Sequence, residues 1–337
     1  MKVLITGATG LLGFELCRQL SKNDVYDIKC LVRKVSPKLP SNVNQCIGDL
    51  LDINSIQEAL NGVDMVIHAA AMVSFQKKYE KTLFETNVEG TTNLVNSCDP
   101  SKIVKFIHVS SVAAIGKPSN ALDSKDTVIV DENFKWQDSP HNSLYGKSKY
   151  LAELEVWRAH AEGLKVVIVN PSIILGEGEW TKSSTQLFRY VYNENKFYTS
   201  GHINYIDVQD VVKSIIYLME GSIEGERFIL NSGKVSFKDF FDKIAQSFKK
   251  KSPTILLNRI HIEILWRVEK LRSILTGSNP IITKETSLTA RSNIYFDNKK
   301  IKMALPFAFK ELDATINRVT NYFTNQSKNL ELRGKTE

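Results

Sequence analysis

Tyr145 and Lys149 stand four residues apart in Tyr145-Gly146-Lys147-Ser148-Lys149, at the start of a helical stretch, so phenol and ammonium project from one face. A free phenol ionises near pH 10, and a neighbouring ammonium favours its charged form, so the pair can move a proton to or from a bound oxygen. Upstream, Phe106-Ile107-His108-Val109-Ser110-Ser111 reads as a core strand ending in two hydroxyls. Ser111 is the natural third group, donating to the same substrate oxygen and holding its carbon for hydride transfer. The hydride donor has its own signature in Thr6-Gly7-Ala8-Thr9-Gly10-Leu11-Leu12-Gly13. Glycines at every third position, between an apolar strand and a helix, let backbone approach a pyrophosphate, and the helix N-terminus offers unpaired N–H groups to it. The second strand ends in Leu31-Val32-Arg33-Lys34, where an NAD site commonly places an acid for the ribose 2′-hydroxyl. A guanidinium at Arg33 suits a 2′-phosphate instead, so NADP(H) is the expected cofactor and NAD(H) the alternative.

Those groups need a scaffold that gathers strand ends. After Lys2–Thr6, apolar runs recur at 28–32, 45–48, 65–71, 104–110 and 165–170, with helical stretches at 11–20, 53–60, 79–98 and 143–162. Near-continuous apolar strands alternating with helices predict a doubly wound, Rossmann-like parallel sheet of the α/β class. The rhythm changes after Pro171. The reading is a dinucleotide-binding domain of residues 1–171 plus about 204–231, an interleaved C-terminal substrate lobe of about 172–203 plus 232–325, and a flexible tail at 326–337. The stretch 260–275 sets Ile260, Ile264, Leu265, Val268, Leu271 and Leu275 at helical spacing with Arg259, Arg267, Lys270 and Arg272 around them. It reads as an amphipathic helix over a cleft or core, with a membrane-surface helix as the alternative.

Composition excludes several other classes. At 337 residues, 42% apolar and 24% charged, the chain matches an ordinary globular enzyme without repeats or low-complexity tracts. No apolar run approaches membrane-spanning length, and Met1 leads directly into a short strand without a secretory pattern, so a cytoplasmic location is expected. Cys17, Cys30, Cys46 and Cys98 lack C-x-x-C spacing and read as reduced core thiols; no metal centre is expected. The net charge of +7 includes Lys249-Lys250-Lys251, but that run follows the amphipathic stretch 237–248 and reads as a solvated helix end, not as a nucleic-acid surface.

The order of glycine loop, Ser-Ser strand end and Tyr-x-x-x-Lys resembles the extended short-chain dehydrogenase/reductase family over roughly residues 1–230. The resemblance implies further roles. Gly48-Asp49-Leu50 is similar to the adenine-contacting segment, and His68-Ala69-Ala70-Ala71 to the strand end under the cofactor. Asn87 in Asn87-Val88-Glu89-Gly90-Thr91 is similar to the asparagine that orders the active site, and Pro171-Ser172-Ile173 to the turn meeting the nicotinamide. Leu31-Val32-Arg33 with the run 170–176 looks most like the dihydroflavonol reductase and 3β-hydroxysteroid dehydrogenase branch, which acts on carbonyls or secondary alcohols.

Two alternatives remain open at this point. A nucleotide-sugar epimerase would share the catalytic groups and retain its NAD, gripping a diphosphate with arginines such as Arg189, Arg227 or Arg291. A regulatory protein would bind the dinucleotide and catalyse nothing. Met72, Phe75, Val112, Trp180 and Phe188 are the candidates for lining the pocket of a bulky, partly apolar small-molecule substrate. The family likeness also implies a homodimer formed through the stretches 79–98 and 143–162.

Overall fold

The computed structural model describes residues 1–118, 121, 126–139, 142–182, 184–258, 260–261, 263, 266–267 and 292–333, with 327–333 described by backbone alone. In chain order come β1 (Lys2–Thr6), α1 (Leu11–Leu20), β2 (Asp27–Val32), β3 (Asn44–Ile47), α2 (Ile53–Leu60) and β4 (Met65–His68). α3 (Glu80–Phe84) and α4 (Gly90–Ser97) follow, joined by a π turn at Glu85–Glu89, then β5 (Lys105–Val109), β6 (Val128–Val130), α5 (Leu144–Ala161), β7 (Val166–Pro171) and β8 (Ile173–Leu175). The remaining elements are α6 (Thr185–Tyr192), β9 (Phe197–Thr199), β10 (His202–Asp207), α7 (Val208–Glu220), β11 (Glu226–Leu230), β12 (Gly233–Ser236), α8 (Phe237–Phe248), β13 (Ile255–Leu257) and β14 (Ile294–Phe296). Two further helices span Lys299–Ala304 and Leu312–Arg333.

Seven strands form one parallel sheet in the order β11-β7-β5-β4-β1-β2-β3. Their apolar runs are continuous because both faces are covered. Val3, Ile5, Met65 and Ile107 point to one side, under α1 and α7 through Leu12, Leu16, Val211 and Ile215. Leu4, Val66, Phe106 and Ile168 point to the other, under α2, α4 and α5 through Ile56, Leu94 and Val156. Fully burying each such side chain contributes about 1.5–3 kcal/mol relative to exposure. Strand order reverses between β1 and β4, and a ligand crevice opens at the carboxyl ends of strands at such a switch point.

The second lobe is interleaved, with boundaries that differ from the sequence reading. β10 does not return to the main sheet at 204; it pairs with β8 in parallel and with β12 antiparallel, and the chain rejoins the core only at α7. The lobe's interior gathers Phe188, Phe240, Phe241, Ile244, Ile316, Val319 and Phe323. The helix Lys299–Ala304 belongs to the other body, because Ile301 and Leu305 pack in the first face's cluster with Phe228 and Leu230. The last helix continues through 326 to Arg333, and residues 334–337 of the expected tail lie outside the described residues. The stretch 260–275 lies largely outside the described residues; of its named positions Ile260 and Arg267 are described, both exposed. No helix among the described residues is long and apolar enough to cross a membrane.

Candidate active site

The glycine loop leaves β1 and enters α1 at the switch point. Gly7 holds φ +74°, and a Cβ there would stand 2.6 Å from the Ala70 nitrogen; at Gly13 it would stand 2.2 Å from the Gly7 carbonyl oxygen. Side chains are sterically forbidden at both positions. Gly10 differs, since a Cβ there meets only the Gly7 oxygen at 3.3 Å, so its outer side is open. Gly10 is also the N-cap of α1 and no side chain caps it, which leaves the amides of the first turn for an anion. This open backbone cradle fits a dinucleotide pyrophosphate. Thr9 and Gly10 are exposed, Leu12 is buried, and Leu11 reaches across to the loop holding Gly176 and Gly178. Arg33 and Lys34 are exposed at the end of β2, next to β1.

Around the cradle, Thr6 Oγ1 accepts from the Ala70 amide at 3.2 Å and meets His68 Nδ1 at 2.7 Å, which ties the ends of β1 and β4 together. Ala69 and Ala70 are half-buried and Ala71 is exposed. Asp49 turns its carboxylate onto the Leu51 amide at 3.0 Å, while Leu50 is buried with its carbonyl bonded by Asn93 at 3.0 Å. Pro171 ends β7 and Ile173 opens β8, half-buried.

Ser111, Tyr145 and Lys149 come together beside this crevice. Ser143 caps α5 by accepting from the Gly146 amide at 2.9 Å, which starts the helix at Leu144, one residue before Tyr145. Gly146 packs against the Ala113 carbonyl, where a Cβ would come to 2.7 Å, so α5 lies close on the turn that carries Ser111. Burial pushes the Tyr145 phenol's pKa up, and the neighbouring Ser111 hydroxyl opposes the rise. Lys149 is buried, its Nζ donating to the Val109 carbonyl at 2.9 Å with His108 Nε2 at 3.5 Å. Burial lowers its ammonium pKa to about 8, against the raising influence of Glu153.

Asn87 supports the arrangement from the π turn. Its Oδ1 accepts from the Met72 amide at 2.7 Å, and its Nδ2 donates to the Met72 carbonyl and to Ser148 Oγ, each at 2.9 Å. Ser148 in turn donates to the Tyr145 carbonyl at 2.8 Å, so one asparagine ties the loop after β4 to the turn of α5 that bears the tyrosine. A π turn, uncommon inside helices, sits where such side chains must be aimed.

The pocket candidates separate. Phe75 meets the Tyr145 ring edge-on with centroids 6.0 Å apart, and Met72 and Val112 flank the same region, half-buried. Trp180 and Phe188 do not belong with them. Phe188 has no exposed surface and packs edge-on against Phe240, while Trp180 stacks on Phe323 at 4.0 Å. Both fill the second lobe's interior, because α8 and the last helix bring their own aromatics to them. Of the arginines considered for a diphosphate, Arg227 is committed to Glu153, Arg189 is exposed on α6, and Arg291 lies outside the described residues. Lys249–Lys251 are exposed at the C-cap of α8.

Fold and site together define a dinucleotide-binding α/β enzyme. The model of the NAD dependent epimerase/dehydratase family matches residues 3–231, and the chain belongs to that family, an NAD(P)-dependent branch of the extended short-chain dehydrogenases/reductases. Among its relatives is sterol demethylase protein B of Methylococcus capsulatus, 30% identical over 238 residues that cover 68% of this chain and 69% of the relative. Another is a 3-beta-hydroxysteroid dehydrogenase of Mycolicibacterium neoaurum, 25% identical over 280 residues, 75% and 72% of the two chains. The crystal structure of a protein called gox2253 superposes with a TM-score of 0.80 at 26% identity, covering 96% of this chain and 98% of that one. The relatives agree with the branch that the sequence resembles.

Sequence reasoning missed the polar groups behind the site. His68 and His108 are buried side by side, ring centroids 5.3 Å apart, and Glu153 is buried between Asn170 and Arg227. His68 ends β4 in the segment already similar to the strand end under the cofactor, His108 lies inside the apolar β5, and Glu153 lies one turn beyond Lys149.

Proposed function

We propose that the protein is a carbonyl reductase with a preference for NADP(H), also able to oxidise the corresponding alcohol. The bound nicotinamide supplies or accepts the hydride. Tyr145 gives the proton to the developing alkoxide, and its raised pKa supports this direction, because the phenol keeps its proton at neutral pH until the substrate oxygen draws it away. Ser111, a neighbour of the tyrosine, donates to the same substrate oxygen and orients it. Lys149 holds the cofactor ribose and supplies positive charge near the phenol. The close packing of α5 at Gly146 on the Ala113 carbonyl beside Ser111, with the buried Lys149 anchored on the Val109 carbonyl, is the observation that carries this reading.

Met72, Phe75 and Val112 support a bulky, apolar carbonyl substrate, as do the names of the sterol and hydroxysteroid relatives. The exposed Arg33 supports NADP(H), and Leu154, 43% exposed on α5, supports a homodimer through α4 and α5. The epimerase reading is weaker, since Arg227 is not free to grip a diphosphate. Deuteride transfer from 4-deuterated NADPH decides between them. Deuterium in a released alcohol supports the reductase. Sugar interconversion without net cofactor oxidation supports the epimerase, and cofactor binding without either reaction supports a regulatory protein.

A further inference from the structure

Behind the candidate catalytic groups runs a chain of polar side chains that hydride transfer itself does not require. Glu153 follows Lys149 by one turn of α5 and is 1% exposed. Its Oε1 accepts from Asn170 Nδ2 at 2.6 Å, and its Oε2 from Arg227 Nη1 at 3.2 Å. The same Asn170 Nδ2 donates to the Ser111 carbonyl at 2.8 Å. Arg227 also donates to the Glu132 carbonyl, and the Glu132 carboxylate accepts from the Ile229 amide at 2.8 Å. Five segments thus converge on one buried carboxylate: α5, β7, β11, the turn after β5 and the residues after β6.

Burying a carboxylate costs several kcal/mol unless it is paired and hydrogen-bonded, and an apolar residue of similar shape often serves stability as well. Here the charge is paired through a half-buried arginine and placed one turn from the lysine of the site. We propose that Glu153 is a positioning residue. Through Asn170 it fixes the backbone from which the Ser111 hydroxyl projects, and through its charge it holds the proton of the Tyr145–Lys149 pair, with Arg227 tempering that charge.

This inference rests on the assignment of Ser111, Tyr145 and Lys149 as the reacting groups. The groups facing Lys149 are His68 from β4 and His108 from β5, with Tyr145 and Glu153 on its own helix. Burial keeps both histidines neutral, so Glu153 is the negative charge among them. Facing Glu153 are Arg227 from β11, Asn170 from β7 and Lys149. Removing the carboxylate lowers the proton affinity of the Tyr145–Lys149 pair as a whole, whichever partner carries the proton.

The test is the pH dependence of carbonyl reduction by NADPH in Glu153→Gln, Glu153→Asp, Arg227→Gln and Asn170→Ala, each first shown to fold by circular dichroism. Glu153→Gln moves the alkaline limb of kcat to lower pH by on the order of one unit, and Glu153→Asp returns it toward the wild type. Arg227→Gln, at a half-buried position, moves it the opposite way and remains available if Glu153→Gln does not fold. Asn170→Ala removes the hydrogen bonds to both Glu153 and the Ser111 carbonyl and lowers kcat on the order of tenfold or more, with a smaller movement of the limb than Glu153→Gln, because the carboxylate stays. Limbs that superpose on the wild type, or that move the same way in Glu153→Gln and Arg227→Gln, overturn the proposal. The dissociation constant of NADPH across the same pH range gives a readout independent of turnover. A protein that binds NADPH but reduces no carbonyl refutes the reductase reading alone, while a break in affinity with pH unmoved by Glu153→Gln overturns the role of Glu153.

Discussion

Lys149 Nζ donates a 2.9 Å hydrogen bond to the carbonyl oxygen of Val109, the last residue of β5 and two before Ser111. The lysine therefore anchors α5 to the strand that delivers the serine, and its burial lowers its pKa to about 8, close to neutral conditions. Lys149→Met removes both the anchor and the charge offered to the cofactor. Hydrogen bonds to charged groups contribute about 1.5–3 kcal/mol, so NADPH affinity should fall roughly tenfold to a hundredfold, together with turnover. Fluorescence titration and steady-state rates check this; unchanged cofactor affinity would remove the ribose role.

Cofactor choice is expected to reside at Arg33. The side chain is exposed at the end of β2, the strand beside β1 and its glycine loop. Arg33→Asp should weaken NADPH binding by about tenfold or more while leaving or improving NADH binding. Paired dissociation constants for the two cofactors decide it, and equal losses for both would place the 2′-phosphate elsewhere.

Gly13→Ala tests the packing of the loop itself. The new methyl would stand 2.2 Å from the Gly7 carbonyl oxygen, a backbone atom that cannot rotate away. Overpacking of this kind costs about 1–3 kcal/mol. Thermal denaturation should show a lower Tm with weakened dinucleotide binding, whereas a variant of native stability and affinity would mean that the loop relaxes freely.

How much of this was legible follows from the physics of each signal. Gly7, Gly10 and Gly13 announced themselves because only glycine fits there, and Tyr145 and Lys149 because helical spacing puts them on one face. The parallel sheet was readable from strands buried on both sides. β10 was misplaced because an apolar strand reads the same in a main sheet or a small one, and its partner residues in β8 lie 32 positions earlier, Tyr205 opposite Ile173. Phe188 and Trp180 looked like pocket residues because aromatic type does not say whether α8 and the last helix will enclose it. Glu153 was hidden in a helix with charges on several sides, and only the fold brings Asn170 and Arg227 to it.

The histidine pair predicts an acid-sensitive fold. Burial lowers the His68 pKa to about 3 and that of His108 well below the ordinary value of 6.5. Below about pH 6.5 the unfolded chain takes up protons at these sites that the folded chain refuses, so stability is complete above that pH and is lost as pH falls toward 3. Each histidine contributes a slope of up to about 1.4 kcal/mol per pH unit. Urea denaturation between pH 7 and 5, above the carboxylate range, should show the decline, and His108→Gln should reduce its slope. A flat profile would mean that both rings accept protons in place.

Tyr145→Phe tests the central claim most directly. It removes one hydroxyl from a ring held by Phe75 and leaves the glycine loop untouched. General acid catalysis contributes roughly 10²–10⁴ in rate, so carbonyl-dependent oxidation of NADPH should fall by that factor while the NADPH dissociation constant stays within a few-fold of the wild type. Turnover equal to the wild type would contradict the account, because the proton would then reach the substrate oxygen by another route.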